Sequence, residues 1–542
     1  MGLEVGRRTL GGAARRAAAE HRPLPYVVIV GGGLSGLAMG MQLLRSGVET
    51  FTIVERSDGV GGTWRDNTYP GCSCDVPSHL YSFSFAPKTD WSRRFAEQQE
   101  ILGYAQRCVE EFGLGSRLRL GTTVTAARFD DDRGEWALEL APREGPSEVL
   151  HADAVIFACG QLNVPHVPAL AGLGSFEGPM WHSARWDHDC DVVGKRVAVV
   201  GNGASAIQFV PLLAEACDGL VVFERSPNYV VPKKDRVYRP AERRLLERSR
   251  ILERAYRWSI YWRLEVRWLF FRRDSRASRA LSRLVAKAIR DEVVSERLPE
   301  EAIVPDYPIG CKRILLSSDW YPAISRPDVR LVDQPIDHVE PDAVVTNDGV
   351  RHRADVLVFA TGFESTDFLG HLPVAGRNGR TLREEWVEGA RAYLGTAVPD
   401  FPNCYLLYGP NTNLGHNSIL FMVERQINLI LQALAVQTRA MGATSAPLVA
   451  VGRDAYEEED RRKQGMMTRT PWVAACHNWY KNAAGRVTNN WPTWTVRYWL
   501  DTLRLRRSDL GVTGRVPLGP EAAGSAGQEP MCSAGTVPSR PA

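Results

Sequence analysis

The sequence has few of the features that mark secreted, metal-binding or membrane-embedded proteins. Its ten cysteines form no C-x-x-C pair, and the nearest two are Cys72 and Cys74. This argues against a disulfide scaffold, a zinc site or a redox-active disulfide, so we expect no metal and a reducing, cytoplasmic compartment. No run of about 20 apolar residues occurs. The best candidate, residues 419–436, is interrupted by charged and amide side chains, which predicts a buried amphipathic helix.

Net charge is also nearly absent. The 66 Lys and Arg residues face 63 Asp and Glu residues, and the resulting charge of +3 gives no sign of a nucleic-acid or broadly anionic partner. A chain of 542 residues is long enough for two or more domains. Residues 1–22 lack the apolar core of a secretory signal, and we expect a disordered extension there. The Gly-, Pro-, Ser- and Ala-rich residues 513–542 predict a disordered tail.

What the sequence does contain is one module twice. In the first copy, a short apolar run typical of a buried parallel strand leads into a G-x-G-x-x-G loop. Gly31 allows the tight turn, Gly33 lets a pyrophosphate approach the backbone, and Gly36 lets helix and strand pack closely. The next predicted strand ends at Glu55, near the ~20-residue offset at which an acid binds ribose hydroxyls. The combination predicts a dinucleotide site.

The second copy follows residues 196–200, which are apolar apart from Arg196. After the next predicted strand the chain reads Glu224-Arg225-Ser226. Glu224 alone would favour NAD, because a carboxylate repels a 2′-phosphate, whereas Arg225 offers that phosphate a bidentate partner. We therefore expect NADPH here, with Glu224 pointing away. The loop itself consists of Gly201, Asn202, Gly203, Ala204, Ser205 and Ala206.

Three further segments resemble the motifs of one enzyme family. Residues 176–187 follow the pattern F-x-G-x-x-x-H-x-x-x-W-D, which resembles the signature of type I Baeyer–Villiger monooxygenases. Residues 61–75 are similar to that family's G-G-x-W-x-x-x-x-Y-P-G-x-x-x-D motif, and residues 307–313 to its Y-P-x-G-x-K-R segment. The resemblance covers nearly all of residues 23–500. It is closest to the phenylacetone and 4-hydroxyacetophenone monooxygenases.

The resemblance implies an FAD- and NADPH-dependent enzyme that inserts one atom of O2 beside a ketone carbonyl, giving an ester or lactone. In this chemistry reduced flavin adds O2 at C4a, and the anionic peroxide attacks the carbonyl. The alternative is an N- or S-oxygenating flavin monooxygenase. Those enzymes carry an aromatic Tyr or Phe where this chain has Trp186-Asp187, so ketone insertion is favoured. We expect a small hydrophobic ketone and O2 as partners and no nucleic acid, while the sequence leaves the ketone's identity open.

The same resemblance assigns roles to single residues. It makes Arg313 the catalytic arginine, Asp75 its carboxylate partner, and Lys312 with Arg225 the grip on the NADP 2′-phosphate. A fixed cation suits this chemistry, because negative charge must be held on oxygen in a dry cleft. His182 is expected to be structural. FAD contacts are expected at Gly31, Gly33, Ser35, Gly36, Glu55, Thr63, Trp64, Asp75, Tyr81 and Val124, and NADP contacts at Gly201, Gly203, Ala204, Ser205, Ala206, Gln208, Arg225, Ser226, Lys312 and Arg313.

These motifs predict an α/β fold with two Rossmann-like dinucleotide-binding domains. Residues 23–165 and 395–512 would form the FAD-binding domain, and residues 166–394 the NADP-binding domain. A basic, helical insert is expected at about 235–300. We expect its aromatic residues to pack inside the protein rather than to contact a membrane. They are Trp258, Tyr261, Trp262, Trp268, Phe270 and Phe271.

Overall fold

A computed structural model of the chain describes residues 3–513, except 274, 294–297, 370–371, 442–446 and 475. The tail expected at 513–542 lies, apart from its first residue, outside this part. The strands are β1 Val27–Val30, β2 Phe51–Val54, β3 Leu118–Arg119, β4 Thr122–Asp130, β5 Glu135–Pro142, β6 Glu148–Ala152, β7 Ala154–Phe157, β8 Met180–His182, β9 Arg196–Val200, β10 Gly219–Phe223, β11 Val230–Val231, β12 Leu315–Leu316, β13 Val329–Val332, β14 Ile336–Glu340, β15 Ala343–Thr346, β16 Arg351–Arg353, β17 Val356–Phe359, β18 Val374–Ala375, β19 Cys404–Leu406, β20 Leu448–Val451 and β21 Leu510–Thr513.

The α-helices are distributed along the chain, and four of them, α6 to α9, follow one another without a strand between them among the described residues. They are α1 Glu4–Ala19, α2 Leu34–Arg45, α3 Thr63–Asp66, α4 Gln98–Glu111, α5 Ala206–Ala216, α6 Pro240–Arg248, α7 Arg250–Glu265, α8 Arg276–Glu292, α9 Glu300–Ile303, α10 Trp320–Ile324, α11 Leu382–Glu385, α12 Ile419–Ala440, α13 Arg453–Met467 and α14 Thr495–Asp501.

Two five-stranded parallel sheets share one plan. The first has the order β19-β7-β1-β2-β3 and the second the order β13-β10-β9-β17-β8. In each sheet the strand that precedes a glycine loop, β1 or β9, lies at the centre. We call the parts built on these sheets the first unit and the second unit. The predicted α/β class with two Rossmann-like sheets is confirmed.

The two glycine loops have the same backbone geometry. Gly31 and Gly201 have φ of +110° and +111°, the left-handed region in which side chains are strained. A Cβ added to either would lie within 2.7 Å of a carbonyl oxygen, that of Ala158 or of Ala360. At Gly36 an added Cβ would lie 1.9 Å from the Gly31 oxygen, so helix and loop touch there. Glycine is therefore required at these positions by the turn and by close packing.

The chain passes between the units at two adjacent points. The backbone N–H of His166 donates to the Gly362 oxygen at 2.9 Å, and that of Glu364 donates to the Val164 oxygen at 2.9 Å. Soon after this return, β18 pairs with β4 of the first unit. The predicted limit of the second domain at residue 394 is therefore wrong, because the chain has already rejoined the first unit by Val374. A two-residue strand has no periodicity by which the sequence could reveal it.

The expectation of a disordered extension at residues 1–22 is wrong for its described part, because residues 4–19 form helix α1. Helix α1 packs along α12, with Leu10, Ala13 and Ala17 buried. The Gly6 N–H donates to Asn428 Oδ1 at 2.8 Å. Small side chains allow this close approach, and alanine is also the strongest helix former. The composition that suggested a flexible leader instead supplies a face that fits against a helix.

Helix α12 is the central helix of the first unit. By length and composition alone it could cross a membrane, but 83% of its most apolar window is buried inside the protein. Two of its buried polar side chains have internal partners: Glu424 accepts from the Ser84 N–H and hydroxyl at 2.6 Å each, and the Gln426 amide donates to the Gly395 oxygen at 2.8 Å. The prediction of a buried helix from 419 is confirmed.

The helical insert, α6 to α9, lies between β11 and β12 and divides its aromatic residues between two faces. Tyr261, Trp268 and Phe271 are buried, the last two in a cluster with Trp472 and other residues of the first unit. Trp258 and Trp262, by contrast, are 40% and 50% exposed. The expectation that the aromatic residues pack inside the protein holds for only part of the set.

The structure contains one disulfide, although the cysteine spacing argued against a disulfide scaffold or a redox-active pair. Cys311 and Cys476 are bonded, with their Cα atoms 6.5 Å apart. They are separated by 165 residues, so their spacing carries no signal in the sequence. The bond ties the segment that contains Lys312 and Arg313 to the C-terminal part of the first unit.

Candidate active site

Both glycine loops leave room and unpaired donors for phosphate. Helix α2 begins after Gly33 and α5 after Ser205, and neither has a side-chain cap on its first N–H groups. A Cβ on Gly33 would come no nearer than 3.6 Å to another protein atom, and one on Gly203 would meet nothing within 4 Å. Helix N-termini with free N–H groups bind anions. Ser35, in the first turn of α2, is placed to join such a site.

Glu55 lies at the end of β2, beside the first loop. Its carboxylate accepts from the backbone N–H groups of Gly32 at 2.6 Å and Ser57 at 2.8 Å. The Glu55 carbonyl in turn accepts from the Thr122 N–H at 2.9 Å, which brings the start of β4 and the buried Val124 to the same edge. The structure thus gathers the predicted residues Glu55 and Val124 around the loop.

Glu224 occupies the corresponding position in the second unit. It is buried and accepts from the Asn202 side-chain amide, which also donates to the Ser226 oxygen at 3.0 Å. Burial raises the pKa of Glu224 to about 7, with the bond from Asn202 acting in the opposite direction. Glu224 is therefore turned into its own loop, where it is less of an obstacle to an anionic ligand.

A cluster of cationic and neutral nitrogen groups lies next to this loop. Arg225 Nη2 is 3.0 Å from His477 Nδ1, and the Lys312 ammonium donates to the Ser226 hydroxyl. Burial lowers the pKa of Lys312, and Arg225 lowers it further. Burial also lowers the pKa of His477, as do the charges of Arg225, Lys312 and Lys481. A bound phosphate would relieve the repulsion among the positively charged groups of this cluster.

The segment that lies next to the first glycine loop in the folded protein contains the predicted site residues Thr63 and Trp64. The nearest atom to a Cβ placed on Gly33 is the Cα of Gly62, so α3 begins directly beside the loop. The Trp64 indole N–H donates to the Tyr81 hydroxyl at 3.2 Å, and their rings meet edge to face at 5.6 Å. Burial raises the pKa of Tyr81, which therefore stays neutral.

Gln208 links this segment to the second glycine loop. Its Oε1 accepts from the N–H and the hydroxyl of Ser73 at 2.9 Å each. Its Nε2 donates to the Ala204 oxygen at 2.7 Å and lies 3.2 Å from the Tyr69 hydroxyl. Lys233 also donates to the Ser73 hydroxyl, at 2.5 Å. One amide side chain on α5 thus fixes the distance between the two predicted cofactor sites.

Arg313 and Asp75 meet across the two units. Arg313 Nε donates to Asp75 Oδ2 at 3.0 Å, and Nη2 donates to the same oxygen. The negative charge of Asp75 raises the pKa of Arg313, against the effect of burial. The two side chains remain 27% and 33% exposed, so the pair is accessible from the space between the units. The structure therefore brings together the two residues that the motifs assign to catalysis.

Two tyrosines near Arg313 were not identified from the sequence as site residues. Tyr408 and Tyr480 are close enough for the charge of Arg313 to lower their pKa values, although burial is the larger effect and raises both, that of Tyr480 to about 12. The Tyr408 hydroxyl donates to Asn413 Oδ1 at 2.7 Å. Both tyrosines come from the C-terminal part of the first unit, and the motifs gave neither a role. Lys233, Ser73 and His477 were not identified either; Ser73 lies within the motif 61–75 but at one of its variable positions.

The 176–187 motif supports the passage between the units. His182 ends β8, the edge strand of the second sheet, and its Nδ1 accepts from the Ala184 N–H at 3.1 Å. Its ring lies 5.6 Å from that of Phe363, just where the chain returns to the first unit. Burial lowers the pKa of His182 to about 4. The ring centres of Trp186 and Phe209 lie 5.1 Å apart. The motif therefore has a structural role in this protein.

Comparison with known proteins identifies relatives along almost the whole chain. A family model described as flavin-binding monooxygenase-like matches residues 25–371. A protein of Streptomyces coelicolor named Baeyer–Villiger monooxygenase is 39% identical over 511 residues, which are 92% of this chain and 95% of the relative. The solved structure of OTEMO in complex with FAD and NADP has a TM-score of 0.81 at 25% identity, covering 91% of this chain and all of that chain. Oxidised steroid monooxygenase bound to NADP has a TM-score of 0.78 at 29% identity, covering 90% and 99%.

Proposed function

The chain belongs to the flavin-binding monooxygenase-like family, and from this membership and its site we infer that it is a Baeyer–Villiger monooxygenase dependent on FAD and NADPH. It inserts one oxygen atom of O2 next to the carbonyl of a ketone and so forms an ester or lactone. The observation that carries this conclusion is the Arg313–Asp75 ion pair, which lies in the space between two dinucleotide-binding units.

We assign FAD to the first unit and NADP to the second. When bound, the two cofactors supply the electrons and the activation of O2. The first glycine loop, Glu55, and the Trp64–Tyr81 pair would hold FAD. The second loop would hold the NADP pyrophosphate, and Arg225 with Lys312 and Ser226 would hold its 2′-phosphate. The open space at Gly33 and Gly203 supports this assignment, since a ligand has to approach the backbone there.

Arg313 supplies the fixed positive charge that the reaction needs. Negative charge develops on oxygen as the ketone carbonyl is attacked, and a guanidinium keeps its charge at any pH at which the protein is folded. Asp75 accepts two hydrogen bonds from Arg313 and thereby orients it. The half-buried Tyr408 and the buried Tyr480 lie near Arg313, and because burial raises the pKa of both they stay protonated and add no charge beside the Arg313–Asp75 pair. No residue is required as a covalent nucleophile.

We propose a small hydrophobic ketone as the substrate. Support comes from Tyr408 and Tyr480, whose rings lie near Arg313 and set apolar surface beside one fixed charge. An aryl ketone, a cyclic ketone and a steroid are all compatible with this chemistry.

A ketone panel tests the proposed function. The purified, FAD-loaded protein is supplied with NADPH, O2 and one ketone at a time, and products are examined by mass for the gain of one oxygen. Aryl methyl sulfides and tertiary amines form the comparison panel. We expect esters or lactones from the ketones. Oxidation of sulfides or amines together with no ester from any ketone would contradict the proposal.

A further inference from the structure

An exposed apolar stripe runs along one side of the helical insert. It consists of Ile251, Trp258, Trp262, Val266 and Leu269, which are between 40% and 80% exposed. Counted from Ile251, Trp258 and Trp262 stand at i+7 and i+11, which places all three on one side of α7. Val266 and Leu269 stand three residues apart, on one side of the 3-10 helix Val266–Phe271 that continues α7. Single exposed apolar residues are ordinary, but a contiguous row with two tryptophans indicates a contact surface.

The exposed charges that α7 itself places beside this stripe have one sign. Helix α7 contains two carboxylates, Glu253 and Glu265, and they are only 3% and 0% exposed. Its solvent-facing charged residues are Arg250, Arg254 and Arg263. In the described part of the chain, no carboxylate lies within ion-pairing distance of these three arginines.

The same imbalance extends over the whole insert. Residues 235–300 contain 18 Lys and Arg against 10 Asp and Glu, a net charge of +8, while the whole chain has +3, so the remainder carries −5. The whole protein is therefore nearly neutral, while its excess of positive charge lies in this one segment.

We propose that this surface docks onto an anionic lipid membrane. Tryptophan rings favour the level of the lipid headgroups, aliphatic side chains enter the outer acyl region, and arginines bind lipid phosphates. The stripe and its arginines present these three groups side by side. The inference concerns a surface outside the proposed active site and does not depend on the reaction assigned above.

Two other occupants fit the surface less well. A second copy of the chain would bring Arg250, Arg254 and Arg263 against their own counterparts, with no exposed carboxylate on α7 to offset them. A single-stranded nucleic acid would use the tryptophans for stacking, but Ile251, Val266 and Leu269 would have no role in it.

The docking surface is held rigidly on the enzyme. The opposite side of α7 packs Ile260, Tyr261 and Leu264 against Leu80. Arg257 Nη1 donates to the His79 oxygen at 2.7 Å. A membrane contact on the outer side would therefore orient the whole molecule relative to the bilayer.

Vesicle binding tests the inference on the full-length, FAD-loaded protein. We expect it to co-sediment with vesicles containing about 30 mol% phosphatidylglycerol in phosphatidylcholine, at least tenfold more strongly than with phosphatidylcholine alone. Added salt, about 0.5 M NaCl, should weaken the binding. Brominated acyl chains should quench part of the tryptophan fluorescence of the wild type, a readout that needs no variant.

Paired variants locate the contact. The double variants W258S/W262S and R254E/R263E should each reduce the partition coefficient of the protein between vesicles and water at least tenfold. Each charge near the lipid surface contributes about 1 kcal/mol to binding, and each indole that the membrane buries contributes more. V387S and R383E, which alter an 84% exposed valine and an exposed arginine elsewhere, should bind like the wild type. Flavin content and turnover of a water-soluble ketone should not change in any of the four.

Three results would overturn the inference. The first is a wild type that does not bind anionic vesicles. The second is a tryptophan variant that binds them as well as the wild type does. The third is a wild-type dimer, detected by light scattering, that becomes a monomer in W258S/W262S without any vesicle binding, since this would make the stripe a self-association surface.

Discussion

Arg313 and Asp75 come from segments 238 residues apart, and only the folded chain places them in contact. Each was identified from its motif, but motif spacing alone does not say that they meet. The resemblance to the Baeyer–Villiger family supplied that expectation. His477, Tyr408 and Tyr480 had no such guide. Each reaches its neighbours across the space between the units or from an irregular segment, where no periodic pattern reports position.

Replacing Arg225 by alanine should raise the KM for NADPH far more than the KM for NADH. A lost charge-assisted contact to a phosphate costs roughly 1.5–3 kcal/mol, or about a tenfold to hundredfold change. His477 and Lys312 would remain and would still provide part of the binding of the 2′-phosphate. Initial rates with both nucleotides measure this directly.

The same replacement at Arg383, which is exposed on the short helix α11, serves as the control and should change neither constant. If the wild-type enzyme uses NADH and NADPH equally well, the phosphate assignment fails. Glu224 would then be the residue that binds the ribose.

At the scale of the element, the strands and helices with strong sequence signals were predicted well. The strands β1, β2, β9 and β10 and the helix α2 occur where the two glycine-loop modules predict them. These elements have a continuous apolar run or a glycine turn that marks an end. Two elements that were not predicted, α1 and β18, have neither a continuous apolar run nor a glycine turn at an end. Helix α1 is determined by the surface of α12 on which it packs, and β18 by the strand beside it.

Valine at Gly33 and valine at Gly203 should have different effects. At both positions the added side chain enters open space where a phosphate is proposed to lie, so the loop itself is not expected to clash. Gly33→Val should give a colourless protein because FAD cannot bind. Gly203→Val should remain yellow and lose NADPH-driven reduction of the flavin.

Absorption spectra and anaerobic stopped-flow reduction distinguish the two variants. A control needs a glycine at which an added Cβ would meet no atom within 4 Å. Gly349 meets this condition but has a φ of +78°, so a side chain there would be strained. Gly12 also meets it and lies in helix α1, so Gly12→Ala should match the wild type. A yellow Gly33→Val protein, or normal reduction of Gly203→Val, would show that the loops have been assigned to the wrong cofactors.

At the scale of the whole molecule, the two units are joined by several bonds close to the proposed site. Gln208 connects the loop of one unit to the motif of the other, the insert packs against the C-terminal segment, and Cys311–Cys476 closes the same region covalently. Duplication of the dinucleotide module was evident in the sequence. The way in which the two copies face each other was not, because it depends on contacts between residues far apart in the chain.

The disulfide makes a prediction about the number of free thiols. Titration of the protein in denaturant without reductant should give two thiols fewer than titration after full reduction, because Cys311 and Cys476 are bonded. Cys476→Ser should lower the melting temperature, because closing a long loop typically stabilises by about 2–4 kcal/mol. Cys217→Ser, at a buried free cysteine, controls for the loss of a thiol. Ten titratable thiols in the purified protein would contradict the pairing.

The most direct test of the account is product formation by Arg313→Ala. Removing one preorganised donor from developing negative charge typically costs ~10²–10³ in rate. We expect the variant to retain FAD and to consume NADPH, but to release hydrogen peroxide and form almost no ester. Asp75→Ala should show a milder form of the same defect, since Arg313 keeps its charge and loses its orientation. Arg225→Ala at saturating NADPH should still form ester. If Arg313→Ala converts ketone to ester at a rate near that of the wild type, Arg313 does not supply the catalytic charge and the account is wrong.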